Sequence, residues 1–137
     1  MRPKVSVCCS VLNQSEWLRE MIASVRAQTL TDWELVLVDD GSTEDIKALV
    51  ESLGDERIQF FRFDENRGIP IGINYAFEKA RGEYVKPMAA DETLWDQALE
   101  VQAKYLDENK GKAACFGLPK HGEMGLRPEY EQYALDA

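Results

Sequence analysis

The chain alternates short apolar segments with longer segments in which apolar residues recur at helical spacing. The apolar segments predict five strands, at residues 4–12, 34–38, 57–63, 83–88 and 112–118. The amphipathic segments predict four helices, at about 14–25, 43–53, 70–81 and 94–108. This alternation predicts an α/β fold in which a mostly parallel sheet is flanked by helices and joined by right-handed crossovers.

The helix starts carry recognisable capping signals. Asn13 is followed three residues later by Glu16, which is the spacing of a capping box. Ser42 or Thr43 is well placed to cap the second helix. The apolar residues of the first helix, Trp17 among them, are expected in the core, and Trp95 is expected on or near the apolar face of the fourth helix.

The second predicted strand ends in two acidic residues. Its apolar run, Leu35 to Val38, passes directly into Asp39, Asp40 and Gly41, which is typical of a buried parallel strand closed by a turn. Ligands bind at the carboxyl ends of strands in open α/β sheets, so we expect both acids to face a cleft. Taken alone, this strand end is better explained by a turn and a helix cap, and the functional interpretation depends on the other strand ends.

Three other strand ends bring matching groups to the same edge. They are residues 10–13, residues 64–68 with Arg67, and residues 89–92 with Asp91. Carboxylates hold hard divalent cations and accept hydrogen bonds from a base or ribose, and an arginine pairs with phosphate. Together these groups suit a nucleotide diphosphate bound with a metal.

Composition and motifs exclude several classes. The chain has 137 residues, which predicts one domain, and its net charge of −9 without a basic cluster argues against nucleic-acid binding. No G-x-G-x-x-G or P-loop motif is present. No apolar stretch reaches the roughly 18 residues that span a membrane. Because the first predicted strand begins near residue 4, we expect no signal peptide within this sequence. The three cysteines lack metal-site spacing, so we expect reduced thiols and a cytoplasmic protein.

Several segments in order identify a family resemblance. The series EWLREMIASVRAQT, WELVLVDDGST, ENRGIPIGIN and ARGEYVKPMAADETLW resembles the nucleotide-binding half of the family 2 glycosyltransferases. The resemblance covers residues 4–117 and implies the GT-A fold, which is Rossmann-like. Members transfer a sugar from a nucleotide-sugar donor to an acceptor hydroxyl, typically with inversion. A flavodoxin-like or response-regulator-like domain fits neither the NRG nor the ARGEY segment.

The resemblance also implies a set of donor-binding residues. Asp40 matches the acid that recognises the base, commonly uracil. Asp91 matches the last acid of the DXD motif, which binds Mg²⁺ or Mn²⁺. The other positions implied beside the nucleotide-sugar are Ser10, Val11, Leu12, Asn13, Arg67, Gly68, Ala89 and Ala90.

This chain departs from the family pattern at three of those positions. Ala89 replaces the first acid of the DXD motif, which removes a ribose or metal contact. Leu12 stands where an aromatic residue is common, and Ser10 where Pro or Thr is usual.

Family members are about twice this long, and the resemblance implies that the acceptor-binding half is absent from residues 1–137. Residues 119–137 form a poorly defined tail in which His121, Glu123 and Glu129 have no family context, so no catalytic base is assigned. The expected partners are a nucleotide-sugar donor, a glycan or lipid-linked acceptor and a second copy in a homodimer. The alternative is a non-catalytic binding or interaction module with the same fold.

Overall fold

A computed structural model describes residues 2–115 and contains eight regular elements. In chain order they are β1 (Val5–Val11), α1 (Ser15–Arg26), β2 (Trp33–Asp39), α2 (Ile46–Leu53), β3 (Ile58–Arg62), α3 (Ile69–Lys79), β4 (Tyr84–Pro87) and α4 (Ala98–Glu108).

The described strands form one parallel sheet in the order β3-β2-β1-β4. A larger core cluster on one face brings together β1 and β2 side chains with those of α1, α2 and α4, while α3 packs on the other face. All seven residues of β2 are buried, because it is a central strand covered on both faces. The predicted α/β sheet flanked by helices is therefore confirmed.

The two adjacent cysteines show how the strands divide between the faces. Cys9 belongs to the larger cluster and Cys8 to the cluster beneath α3, because neighbouring strand residues point in opposite directions. Both are free thiols, and burial raises the pKa of each to about 12. They are inert core residues.

The predicted helix caps are wrong for two helices. At α1 the N-cap position is Gln14, which has a left-handed backbone and makes no side-chain cap. At α2 the cap is Asp45, whose carboxylate accepts a hydrogen bond from Ala48 N at 3.0 Å. Instead, Asn13 N donates to Ser42 Oγ, and Asn13 Oδ1 accepts from Thr43 N. Contacts between residues distant in sequence thus replace the local caps.

The fourth helix begins later than predicted because the preceding segment is bonded to α1. Leu94 N donates to Ser24 Oγ at 3.1 Å, and Gln28 Nε2 donates to the Trp95 carbonyl at 2.8 Å. Trp95 itself is 66% exposed, and Trp17 is 56% exposed. The expectation that Trp17 is in the core is therefore wrong, and Trp95 precedes α4 instead of lying on its apolar face.

The fifth strand is only partly covered by the structure. Residues 112–115 are described and do not form a strand, whereas residues 116–118 and the tail with His121, Glu123 and Glu129 lie outside the described part. No helix among residues 2–115 is both long enough and apolar enough to cross a membrane.

A buried carboxylate ties the amino ends of the strands together. Glu34 on β2 accepts hydrogen bonds from Ser6 Oγ on β1, Gln59 Nε2 on β3 and Arg81 N, each at 2.6 Å. Burial disfavours its charge, but the bonds from Ser6 and Arg81 outweigh this effect and lower the pKa of Glu34. The residue after Arg81 is a glycine, Gly82, because a Cβ at this position would lie 2.5 Å from Ser6 N.

We expect Glu34→Gln to lower the free energy of unfolding by about 1–3 kcal/mol at pH 7, since bonds to a charged acceptor are lost. The pKa of Glu34 is lowered on folding, so its contribution is complete above the ordinary value of 4.5 and disappears as the pH falls below it. Urea unfolding should be measured from pH 7 to below pH 4.5. The free energies of unfolding of the wild type and the variant should converge at the acid end. The exposed Glu20→Gln is the control, and a constant difference at every pH would contradict the prediction.

Candidate functional site

The carboxyl ends of the four strands form one continuous rim. The sheet order places residues 62–68 beside 39–42, then 11–13, then 88–92. At a strand spacing of about 4.8 Å, the rim extends over roughly 14 Å. The strand ends that the sequence predicts to carry the chemistry are therefore neighbours.

Asp40 holds the loop before α3. Its two carboxylate oxygens accept hydrogen bonds from Arg67 N at 2.7 Å and Gly68 N at 3.0 Å. Gly68 has φ of +96°, a conformation that favours glycine. The Arg67 guanidinium remains exposed and lies 4.8 Å from the centre of the Phe63 ring. The structure thus brings Asp40, Arg67 and Gly68 together, as the family resemblance implies.

Asp39 has a different environment. Register places it opposite Arg62, and its carboxylate forms an ion pair with that guanidinium and accepts from Ser42 N at 2.9 Å. Asp39 is 0% exposed and Asp40 is 3% exposed. The expectation that both acids face an open cleft is therefore wrong, because the loops of the rim cover them.

Asn13 joins the loop after β1 to the loop after β2. Its backbone N donates to Ser42 Oγ at 2.7 Å, and its Oδ1 accepts from the backbone N atoms of Thr43 and Glu44, each at 3.0 Å. Asn13 has φ of 56°, which asparagine tolerates better than most residues. Its side-chain oxygen is thus used within the protein.

The other residues predicted at the end of β1 have three different surroundings. Ser10 points toward α3, where a Cβ on Gly72 would lie 2.2 Å from Ser10 Oγ. Val11 is buried, and its carbonyl accepts from Asp40 N at 2.8 Å. Leu12 is 41% exposed and presents its side chain to solvent.

The end of β4 carries a tight turn. Glu92 N donates to the Ala89 carbonyl at 3.2 Å, and the Glu92 carboxylate accepts from Ala89 N at 3.4 Å. Ala90 is buried, whereas Asp91 is exposed. Ala90 belongs to the same core cluster as Cys9, whose pKa is raised first by burial and then by the charge of Glu92.

Protein side chains alone do not form a metal cage at this rim. The part of the chain that the structure describes contains no group of three or more His, Cys, Asp or Glu residues able to hold a metal ion. Asp91 and Glu92 are the acids on the turn, and Ala89 takes the place of a third. A cation here would need further oxygen ligands from a bound molecule.

Sequence reasoning missed Arg62 and Ser42 as members of the rim. Arg62 was only the end of an apolar strand in the pattern, and Ser42 was a helix cap. The available signal was the strand register, since pairing β2 with β3 places Arg62 beside Asp39.

Comparison with known proteins identifies relatives of the whole described region. The family model for glycosyl transferase family 2 matches residues 6–133. A GalNAc(5)-diNAcBac-PP-undecaprenol beta-1,3-glucosyltransferase of Campylobacter jejuni is 32% identical over 128 residues, covering 89% of this chain and 41% of that protein. An uncharacterized glycosyltransferase of Rickettsia felis is 36% identical over 123 residues, covering 89% and 20%.

Solved structures agree. S. aureus TarS in complex with UDP-GlcNAc superimposes with a TM-score of 0.74 at 26% identity, covering 85% of this chain and 37% of TarS. The mannosyltransferase PcManGT from Pyrobaculum calidifontis, in complex with GDP-Man and Mn²⁺, gives 0.69 at 26% identity, covering 77% and 33%. These similarities confirm the GT-A fold. The chain spans less than half the length of each of these four proteins.

We expect Gly41→Ala to destabilise the rim. Gly41 has φ of +78°, and a Cβ there would lie 2.6 Å from the backbone carbon of Glu65 and 2.7 Å from Asn66 N. Gly54→Ala is a matched control, because Gly54 has φ of +58° but nothing within 4 Å of its Cβ position. The steric clash should lower the free energy of unfolding in Gly41→Ala by about 1–3 kcal/mol more than in Gly54→Ala. Equal losses in urea unfolding would contradict this contact.

Proposed function

The chain belongs to glycosyl transferase family 2, and from this membership we propose that its rim binds a nucleotide-diphospho-sugar for transfer of the sugar to an acceptor hydroxyl. The observation that carries the proposal is the gathering of the four strand-end loops, with Asp40 and Arg67 toward one end and Asp91 at the other. The proposed reaction is a single displacement that inverts the anomeric centre, with a glycan or lipid-linked acceptor. No catalytic base is assigned among residues 2–115.

The order of the loops supports one orientation of the donor. Asp91 lies at the β4 end of the rim, where a diphosphate and its cation would be held. The nucleoside would then extend over the ends of β1 and β2, toward the loop that Asp40 holds. We propose a uracil base, in keeping with the match of Asp40 to the family acid. The pocket would be formed by Ser10, Val11, Leu12, Asn13, Arg67, Gly68, Ala89 and Ala90.

Charge supports a requirement for a divalent cation. A diphosphate is anionic, and the rim exposes four acids, Asp64, Glu65, Asp91 and Glu92, against two arginines, Arg62 and Arg67. Mg²⁺ in nucleotide sites is commonly bound by one or two protein carboxylates together with phosphate oxygens. Asp91, exposed at the end of β4, fits this arrangement for Mg²⁺ or Mn²⁺. When bound, the cation would stabilise negative charge on the leaving diphosphate.

The second candidate is a binding module without catalytic activity. Ala89 favours this alternative, because it removes one potential ligand from the DXD position. PcManGT was solved with Mn²⁺ and GDP-Man, and TarS with UDP-GlcNAc. Metal-dependent binding of a nucleotide distinguishes the two candidates.

Calorimetric titration of the chain with UDP, in Mn²⁺ and then in chelator, tests the donor site. We expect binding that requires Mn²⁺ and weakens at least about tenfold in Asp91→Ala, which corresponds to about 1.4 kcal/mol. Asp32→Ala is the control, since Asp32 is exposed at the amino end of β2, across the sheet from the rim. Binding that is unaffected by chelator and by Asp91→Ala would overturn the metal proposal, and no binding in the wild type would favour the module.

Restoring the missing acid gives the opposite test. We expect Ala89→Asp to strengthen Mn²⁺-dependent UDP binding by about tenfold, because cation affinity rises with the number of charged ligands. Ala23→Asp is the control. It adds the same charge at an exposed position near the carboxyl end of α1, away from the rim, so it should leave the affinity for UDP unchanged. Weaker or unchanged binding in Ala89→Asp would show that residue 89 does not approach the cation.

A further inference from the structure

We propose that Arg62 is a positioning residue of the donor site, acting through the loop of residues 40–44. This inference rests on the proposed function and assigns a role to a residue outside the set implied by the resemblance. Arg62 ends β3, and its guanidinium contacts both the Asp39 carboxylate and the Ser42 carbonyl, the latter at 3.0 Å. One side chain thus binds both the last residue of β2 and the loop that follows it.

The first contact concerns charge. Asp39 is fully buried, while the Arg62 side chain is 43% exposed. A buried carboxylate without a counter-charge is strongly unfavourable, and Arg62 supplies that counter-charge from the edge of the loop. Asp39 in turn accepts from Ser42 N at 2.9 Å and closes the turn after β2.

The second contact concerns geometry. The guanidinium also donates to the carbonyl of Ser42, whose Oγ accepts from Asn13 N at 2.7 Å. Asp40, one of the two residues between Asp39 and Ser42, accepts hydrogen bonds from Arg67 N and Gly68 N. Ser42 is therefore fixed from β3 and β1 at once, and the position of this loop sets the position of the proposed nucleoside site.

A role limited to neutralising Asp39 makes a different prediction from a positioning role. In the double variant Asp39→Asn/Arg62→Met both charges are removed, so no unpaired charge remains buried. The side-chain amide introduced in place of the Asp39 carboxylate keeps an oxygen that accepts from Ser42 N, but the bond to the Ser42 carbonyl is lost. Arg62→Lys keeps the charge, yet an ammonium does not reproduce the planar fork that spans two acceptors.

The test compares wild type, Arg62→Met, Arg62→Lys and the double variant by urea unfolding, UDP titration in Mn²⁺ and amide hydrogen exchange. We expect Arg62→Met to lose stability and at least tenfold in UDP affinity. The double variant should recover most of the stability, yet bind UDP at least fivefold more weakly than wild type. Its Ser42, Arg67 and Gly68 amides should also exchange faster.

Arg57→Met is the matched control. Arg57 pairs with Asp55 at 2.9 Å at the other end of β3 and lies over the Trp33 ring. It should change stability without changing UDP affinity or exchange at the rim. Wild-type affinity and exchange in the double variant would overturn the positioning role and leave Arg62 as a counter-charge. Absence of UDP binding by the wild type would reject the proposed function and this inference with it.

Discussion

The rim depends on the need of buried carboxylates for hydrogen-bond donors. Asp39 and Asp40 leave β2 in succession and point to opposite sides, and each is almost completely covered. Asp39 is satisfied by Ser42 N and Arg62, and Asp40 by the amides of Arg67 and Gly68. Because an unsatisfied buried charge is so unfavourable, these two residues fix the loops that follow β2 and β3. The turns after β2 and β3 are thus held by hydrogen bonds to these two carboxylates, together with the glycines at 41 and 68 that their backbone conformations favour.

Buried carboxylates accept hydrogen bonds at both ends of the sheet, but they connect different parts of the chain at each end. At the amino ends, Glu34 gathers donors from β1, β3 and the segment before β4, so it joins strands that are already paired. At the carboxyl ends, the acids bind loop amides and leave Arg67 and Asp91 exposed. The amino ends of the strands are therefore tied together, whereas the carboxyl ends leave charged side chains exposed at the proposed donor site.

The spacing of apolar residues predicted those features of the fold that depend on residues close together in the sequence. The four described strands, their helices and the clustering of strand ends follow from apolar spacing and from the rules for parallel sheets. The roles of Asn13, Asp39 and Arg62 did not, because each depends on a partner at least 20 residues away. Asn13 and Glu16 match a local capping pattern, yet Asn13 bonds to Thr43 and Glu44 instead. At Asn13, hydrogen bonds to residues distant in sequence thus replace the local cap.

The contact between Ser10 and Gly72 sets the height of α3 above the sheet. A Cβ at residue 72 would lie 2.2 Å from the serine oxygen, so helix and strand touch without clearance. The amino end of the same helix begins at Gly68, one of the two amides bound by Asp40. Residues 10 and 72 therefore occupy one limited space between α3 and the sheet. In a combinatorial library, a larger residue at 72 would be accepted only with a smaller one at 10, and the pair would behave as a single unit of variation that moves the nearby loop.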